Sequence, residues 1–259
     1  EIPEDSVIWS EDPFITIHDY KSPKCNNCAR KLKSPEHPES PPIFHCQNNH
    51  SCAEVFCCYQ CYNIAMSKYH VSLCGKSLSS ILSILDRHKS NSSDPLPFFI
   101  LKLFSIAKTS NIHPLDIPQI QDLAQYRPPK KSENSFLPEY YFELYFETLR
   151  ILDISLYDVK FDFWVYVTLT CKVQVNLFGN DDMACLFHYT SLINHSCMPN
   201  VFPDVYSSRD GDPVLVDYEF RENNMDLVAV RDIRRGEEIV LRYCDPMLEK
   251  WERAMHLIP

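Results

Sequence analysis

Residues 191–200 read SLINHSCMPN, with Asn194 and His195 side by side and Cys197, Pro199 and Asn200 just behind. The run is too specified for a plain loop, yet it holds no nucleophile with its own base. Cys197 attacking with His195 as base would make a thiol hydrolase. Residues two apart need not meet, however, and no carboxylate stands ready to orient the imidazole. A second concentration of reactive side chains lies earlier: eight of the twelve cysteines fall within residues 25–74, and only Cys171, Cys185, Cys197 and Cys244 follow.

The earlier cluster has metal-ligand spacing. Cys25-x2-Cys28 presents two thiolates from one tight turn, and Cys57-x3-Cys61 and His70-x3-Cys74 each place two ligands about one helical turn apart. With Cys46 and Cys52 these make seven cysteines and one histidine, enough for two closed, structural four-ligand zinc sites. His50, between Cys46 and Cys52, competes for the Cys52 position. Cys58 is a spare thiol without an assigned role. A disulfide framework fits less well, because a histidine stands in register with the cysteines and the acidic, alternating start EIPEDSVIWSEDPFITI does not read as a secretory signal. Residues 25–74 have little apolar material of their own, so metal is the expected source of their folding energy. Cys171 and Cys185 read as buried thiols.

The elements that must position these groups follow from periodicity. Residues 6–17 alternate and suggest two short strands around Asp12-Pro13. Stretches 77–88, 96–108, 117–126 and 137–158 have apolar residues at helical spacing; in the last, Tyr141, Tyr145 and Leu149 beside Phe142 and Phe146 make one broad apolar face. Residues 160–176 are ambiguous between helix and strand. From about residue 184 the chain turns to short β-branched runs: VFPDVY, VLVDYEF, DLVAVR and EIVLRY. Strands therefore open and close the chain around cysteines and helices, the pattern of one β domain with insertions.

Composition narrows the function. The chain has 259 residues, 25 Lys+Arg against 35 Asp+Glu, and a net charge of −10. That balance disfavours strong nucleic-acid binding, which needs a basic surface, and suits basic peptides. No apolar run reaches membrane-span length, so no membrane partner is expected and an intracellular protein, in nucleus or cytoplasm, is the expectation. The four glycines (Gly75, Gly179, Gly211, Gly236) form no phosphate-cradling loop.

NHSCMPN is similar to the motif near the end of SET-domain protein lysine methyltransferases, and RDIRRGEEIVLRYCDP (231–246) resembles that family's Arg-Asp-Ile, Gly-Glu-Glu and terminal Tyr. VQVNLFGN (173–180) resembles its Asn-x-Phe element. The order of cysteine pairs resembles the MYND zinc finger, although Cys46 and Cys52 are six apart where that finger usually has Cys-x2-Cys. The whole chain thus resembles the SET-and-MYND branch, with a compact length like that of fungal members. The resemblance implies an α+β fold: a SET-domain β fold with a C-terminal pseudoknot, interrupted by a MYND zinc finger and a helical insert. Its parts would be 1–22 (N-terminal SET strands), 23–76 (finger), 77–168 (helical insert), 169–245 (C-terminal SET core) and 246–259 (start of the post-SET segment).

It also implies a chemistry, S-adenosylmethionine-dependent methylation of a lysine on a protein substrate such as a histone. That displacement at a sulfonium needs an unprotonated amine and in-line placement rather than an acid. Lysine's ordinary pKa is near 10.4, so a dry channel must lower it, and positioning can contribute roughly 7–11 kcal/mol at its upper end. By resemblance Asn176, Asn194 and His195 contact the cofactor. Tyr243 is the active-site tyrosine, also touching cofactor, and Phe178 lines the lysine channel. Pro199 and Asn200 help thread the C-terminal segment. Cys25, Cys28, Cys57 and Cys61 would hold one zinc, and Cys46, Cys52, His70 and Cys74 the other. The family's early Gly-x-Gly turn and its Cys-x-Cys-x2-Cys cluster beyond the tyrosine are not among these residues, which suggests a trimmed stretch of a longer protein and leaves Cys197 short of zinc partners. The alternative is a non-catalytic interaction protein whose finger docks a proline-containing peptide.

Overall fold

The computed structural model describes residues 1–18, 24–34, 38–88, 94–126, 139–180, 183–205 and 224–244. The expected strand VLVDYEF and residues 246–259 lie outside the described residues. Near the start, β1 (Val7–Glu11) and β2 (Ile15–His18) flank Asp12-Pro13. Proline has no N–H for a ladder, so the chain breaks there and the two strands join different sheets. β1 pairs with β9 (Met225–Ala229), which pairs with β8 (Val201–Val205). β2 pairs with β6 (Met183–Leu186), which pairs with β5 (Leu177–Asn180). All four pairings are antiparallel.

β6 joins two cores through strand alternation. Cys185 belongs to a β core with Phe187, Val201, Met225, Leu227, Ala229, Ile233 and Leu241. Its neighbour Leu186, on the opposite face, belongs to the larger core shared by β2, the cysteine-rich region and the helices. β5 and β6 approach closely at Gly179, where a Cβ would sit 2.2 Å from the Met183 carbonyl oxygen. A side chain there has no room.

The larger core is built on the Leu96–Ser110 helix, buried at every position from Pro97 to Ala107. Ser79–Arg87 contributes Ile81, Ile84 and Leu85. In 117–126 only Pro118–Gln121 is α-helical. Tyr140–Ile151 buries Tyr141, Leu144, Tyr145, Thr148 and Leu149. The broad aromatic face is narrower than its sequence suggests: Phe142 and Phe146 are each 51% exposed. Phe142 instead stacks on Phe163, centroids 4.0 Å apart. The ambiguous 160–176 stretch is helical over Phe163–Gln174, with Asp162 accepting from Trp164 N–H as N-cap. That helix runs across residue 168, where the sequence suggested a boundary. Among the described residues no helix is long and apolar enough to cross a membrane.

Candidate functional site

Two groups of ligand atoms form in the cysteine-rich region. Cys25, Cys28, Cys57 and Cys61 make one and Cys46, Cys52, His70 and Cys74 the other, with the ligand atoms of each within 4.8 Å of one another. Cys52, not His50, takes the disputed position. In the first group Sγ separations are 3.7 Å for Cys28–Cys57 and 3.4 Å for Cys57–Cys61. In the second, Cys46 Sγ lies 3.6 Å from Cys74 Sγ and 3.3 Å from His70 Nε2, and Cys52 Sγ lies 3.6 Å from the same nitrogen. A tetrahedral ion with sulfur at about 2.3 Å separates its ligands by roughly 3.8 Å. The donor sets and spacings fit a metal ion in each group.

Local structure explains the convergence. β3 (Phe44–His45) and β4 (Val55–Phe56) form a hairpin that brings Cys46 back toward Cys52. The helix Tyr59–Ala65 continues through a π-helical turn, Met66–His70, into Val71–Leu73. π-turns recur at functional positions, and here His70 ends one. Gly75 has φ +72°, and a Cβ on it would lie 2.4 Å from Asn49 Nδ2. Cys58 does have a role: its sulfur caps the Tyr59–Ala65 helix by accepting from Cys61 N–H.

Electrostatics follow the clustering. Within the first group, the contact with Cys28 holds Cys25 below the ordinary thiol range, and the contact with Cys25 does the same for Cys61. The Cys25 partnership raises Cys28 and Cys57. His70 is pushed down to about 4, mainly by burial and then by the Lys102 charge, leaving it the neutral imidazole a metal needs. Lys102 is itself buried and held near 8 by desolvation. Its Nζ donates to the Thr16 and Asn26 carbonyls at 2.9 and 3.1 Å, so one ammonium ties β2 to the turn after Cys25. Thr16 Oγ1 adds a bond to the Asn27 carbonyl at 2.9 Å. Lys68 ties the same region to the Phe14 carbonyl. Neither lysine was singled out by pattern, because each sits in an ordinary-looking helix.

The second site assembles where β7 (Asn194–His195) pairs in parallel with β10 (Val240–Leu241), Asn194 opposite Val240 and His195 opposite Leu241. Asn200, fully buried, fastens this crossing. Its Nδ2 donates to the Glu238 carbonyl at 2.7 Å and to Glu237 Oε1 at 3.2 Å, while its Oδ1 accepts from Val240 N–H at 2.9 Å. Such a hub satisfies its whole carboxamide. The crossing delivers Tyr243 to the motif. Tyr243 N–H donates to His195 Nδ1 at 2.9 Å, its hydroxyl donates to the Ile193 carbonyl, and its ring lies 5.4 Å from the imidazole. Burial raises the Tyr243 pKa, so the phenol keeps its proton. Asn194 Nδ2 donates to Glu238 Oε1 at 2.7 Å.

His195 and Cys197 do meet, with Nε2 3.4 Å from Sγ, a contact their spacing left open. This is still a poor hydrolase pair. Nδ1 accepts from the Tyr243 backbone, so the proton of a neutral imidazole is on Nε2, facing the sulfur it would have to deprotonate. Asn176 is buried and its carboxamide donates to the Ala124 and Lys172 carbonyls at 2.9 and 2.6 Å. Among the described residues its own carbonyl lies 3.4 Å from Ser191 Oγ, a weak second acceptor for a hydroxyl that donates to the Phe187 carbonyl at 2.5 Å. Phe178 packs edge-on against Phe187, centroids 5.7 Å apart.

Sequence reasoning also missed Glu11. It is 9% exposed, and its carboxylate accepts from His188 N (2.7 Å), Tyr189 N (2.9 Å), Thr190 N (2.9 Å) and Thr190 Oγ1 (2.8 Å). Only its place two residues after Trp9 on one face of β1 could have flagged it.

Acid should loosen the crossing through Glu237. Arg231 first, then Arg234 N–H and Asn200, hold this carboxyl near 2 against an ordinary 4.5. A carboxyl depressed in the folded state contributes stability above its unfolded pKa and loses it as pH falls through the folded one. Between about pH 4.5 and 2 the wild type should therefore lose thermal stability faster than Glu237→Gln, as read by melting curves across that window. Parallel curves would contradict the assignment.

A model of the SET domain family matches residues 1–244. A SET and MYND domain-containing protein of Dictyostelium discoideum is 24% identical over 280 residues, which takes in 97% of this chain and 73% of that protein. The family match encloses β1, the metal-binding groups, the β7–β10 crossing and Tyr243, and with it the chain belongs to the SET domain family.

Proposed function

We propose that this chain is an S-adenosylmethionine-dependent protein-lysine N-methyltransferase. The observation that carries the reading is the convergence of Asn194, His195 and Tyr243 at the β7–β10 crossing. The groups there suit a sulfonium ligand: an exposed carboxamide, an aromatic ring, a protonated phenol and the Glu238 carboxylate. When bound, S-adenosylmethionine supplies an electrophilic methyl group. Asn194 and the His195 backbone would hold it. Asn176, whose carboxamide is committed to Ala124 and Lys172, would act through its carbonyl and Ser191.

Tyr243 does the orienting. Its hydroxyl, already anchored at the Ile193 carbonyl, would orient the substrate amine against the donor. No general base is needed if the lysine arrives neutral, and dehydration near a cation favours that form. Phe178 would line the approach. Methyl transfer is tested by mass spectrometry of lysine-bearing histone peptides incubated with S-adenosylmethionine and the protein. A methylated lysine supports the reading; none across a broad peptide set counts against it.

The rest of the architecture follows as part of the proposal. SET strands occupy 1–22, a MYND-type finger with two Zn2+ occupies 23–76, and a helical insert runs from 77 to the end of the Phe163–Gln174 helix. A SET core with its pseudoknot at the β7–β10 crossing completes it to residue 245, and a post-SET segment begins at 246. A second reading, a docking module, draws on the finger's aromatic cluster. Tyr59, 59% exposed, lies 6.0 Å from Phe44 and 6.2 Å from Tyr62 by ring centroids, a surface able to take a proline-containing peptide.

A further inference from the structure

Three successive N–H groups, of His188, Tyr189 and Thr190, point at one carboxylate drawn from a strand at the other end of the chain. The turn they form starts the 3-10 segment Thr190–Leu192, whose own N-cap residue, Tyr189, makes no side-chain cap bond. A local Ser, Thr or Asn would have capped it without burying a charge. Glu11 does more than cap, because it fixes the turn to β1. Trp9, on the same face of β1, meets the Tyr189 ring edge-on at 5.6 Å. Two β1 side chains therefore grip 188–190 together. Beyond the grip, Ser191 Oγ donates to the Phe187 carbonyl at 2.5 Å, and the chain runs straight into Asn194 and His195.

We propose that Glu11 is a positioning residue for the cofactor site: its carboxylate sets the turn from which the Asn194-His195 strand departs. The inference rests on the methyl-transfer reading, because what Glu11 positions is the Asn194 carboxamide and the His195 backbone. Glu11 is committed to the turn and would act through it rather than on cofactor or lysine. Its loss should therefore weaken cofactor binding while leaving peptide recognition and the metal sites unchanged.

The test uses the full chain and three variants. Glu11→Gln keeps the side chain's size but sets an amide N–H against backbone N–H groups. Thr190→Val removes only the hydroxyl bond, and Thr190→Ser keeps it. Hydrogen exchange at 188–195 should quicken about tenfold in Glu11→Gln, and the calorimetric Kd for S-adenosylmethionine should rise about tenfold. The peptide KM should stay within about twofold and the zinc content should not change. Thr190→Val should weaken cofactor binding about threefold and Thr190→Ser should restore it. An unchanged Kd in folded Glu11→Gln overturns the proposal. Should that variant fail to fold, equal Kd values for Thr190→Val and Thr190→Ser overturn it instead. A wild type that binds no S-adenosylmethionine overturns the methyl-transfer reading and this role with it; exchange at 188–195 then reports separately whether Glu11 orders the turn.

Discussion

Removing metal from the two cysteine groups is expected to unfold the cysteine-rich region and to lower the melting temperature of the whole chain. The hairpin beneath the ligands has two-residue strands, too short to hold themselves. Structural zinc contributes an apparent ~10–16 kcal/mol in small fingers, comparable to the entire stability of a typical domain. The damage should spread, because Lys102 and Thr16 bond β2 to the cysteine-rich region and Lys68 bonds Phe14, the residue before that strand. β2 is in turn the partner of β6, the strand shared by both cores. Metal analysis should find two zinc ions per chain, and Cys57→Ser should lower that content and the melting temperature together. A chelated protein that melts at the original temperature, with amides of 24–74 still protected, would remove the metal from the account.

Tyr243→Phe is expected to lower the methyl-transfer rate by about 100-fold while changing the S-adenosylmethionine Kd by no more than about twofold. The variant keeps the ring that packs on His195 and the backbone N–H that bonds its Nδ1, so the crossing survives. Only the hydroxyl at Ile193 is lost. Removing one positioned donor from a reaction centre typically costs about 2.7–4 kcal/mol of barrier. Single-turnover measurements separate that loss from binding. An unchanged rate would move the orienting role to another group.

Much of this was legible because the chemistry is local in sequence. Ligand spacing in 25–74 and the run from Asn194 to Asn200 announce themselves by residue type. Their long-range consequences do not. Glu11 bonds residues 177–179 positions away, and no periodicity carries that information. The His195–Cys197 contact depends on a backbone bend that spacing alone leaves open. The Phe163–Gln174 helix looked ambiguous because Val165, Tyr166, Leu169, Cys171 and Val173 are buried around much of its surface, which blurs the 3.6-residue signal. Its Asp162 cap was the readable clue. Phe142 and Phe146 looked like core because composition does not distinguish an aromatic that packs beneath a helix from one that stacks across its top.

The most direct test of the central claim is calorimetric titration of the full-length protein with S-adenosylmethionine, beside Asn194→Ala. The account predicts saturable one-to-one binding by the wild type and at least about tenfold weaker binding by the variant. A wild type with no saturable heat, or a variant that binds equally well, would contradict it.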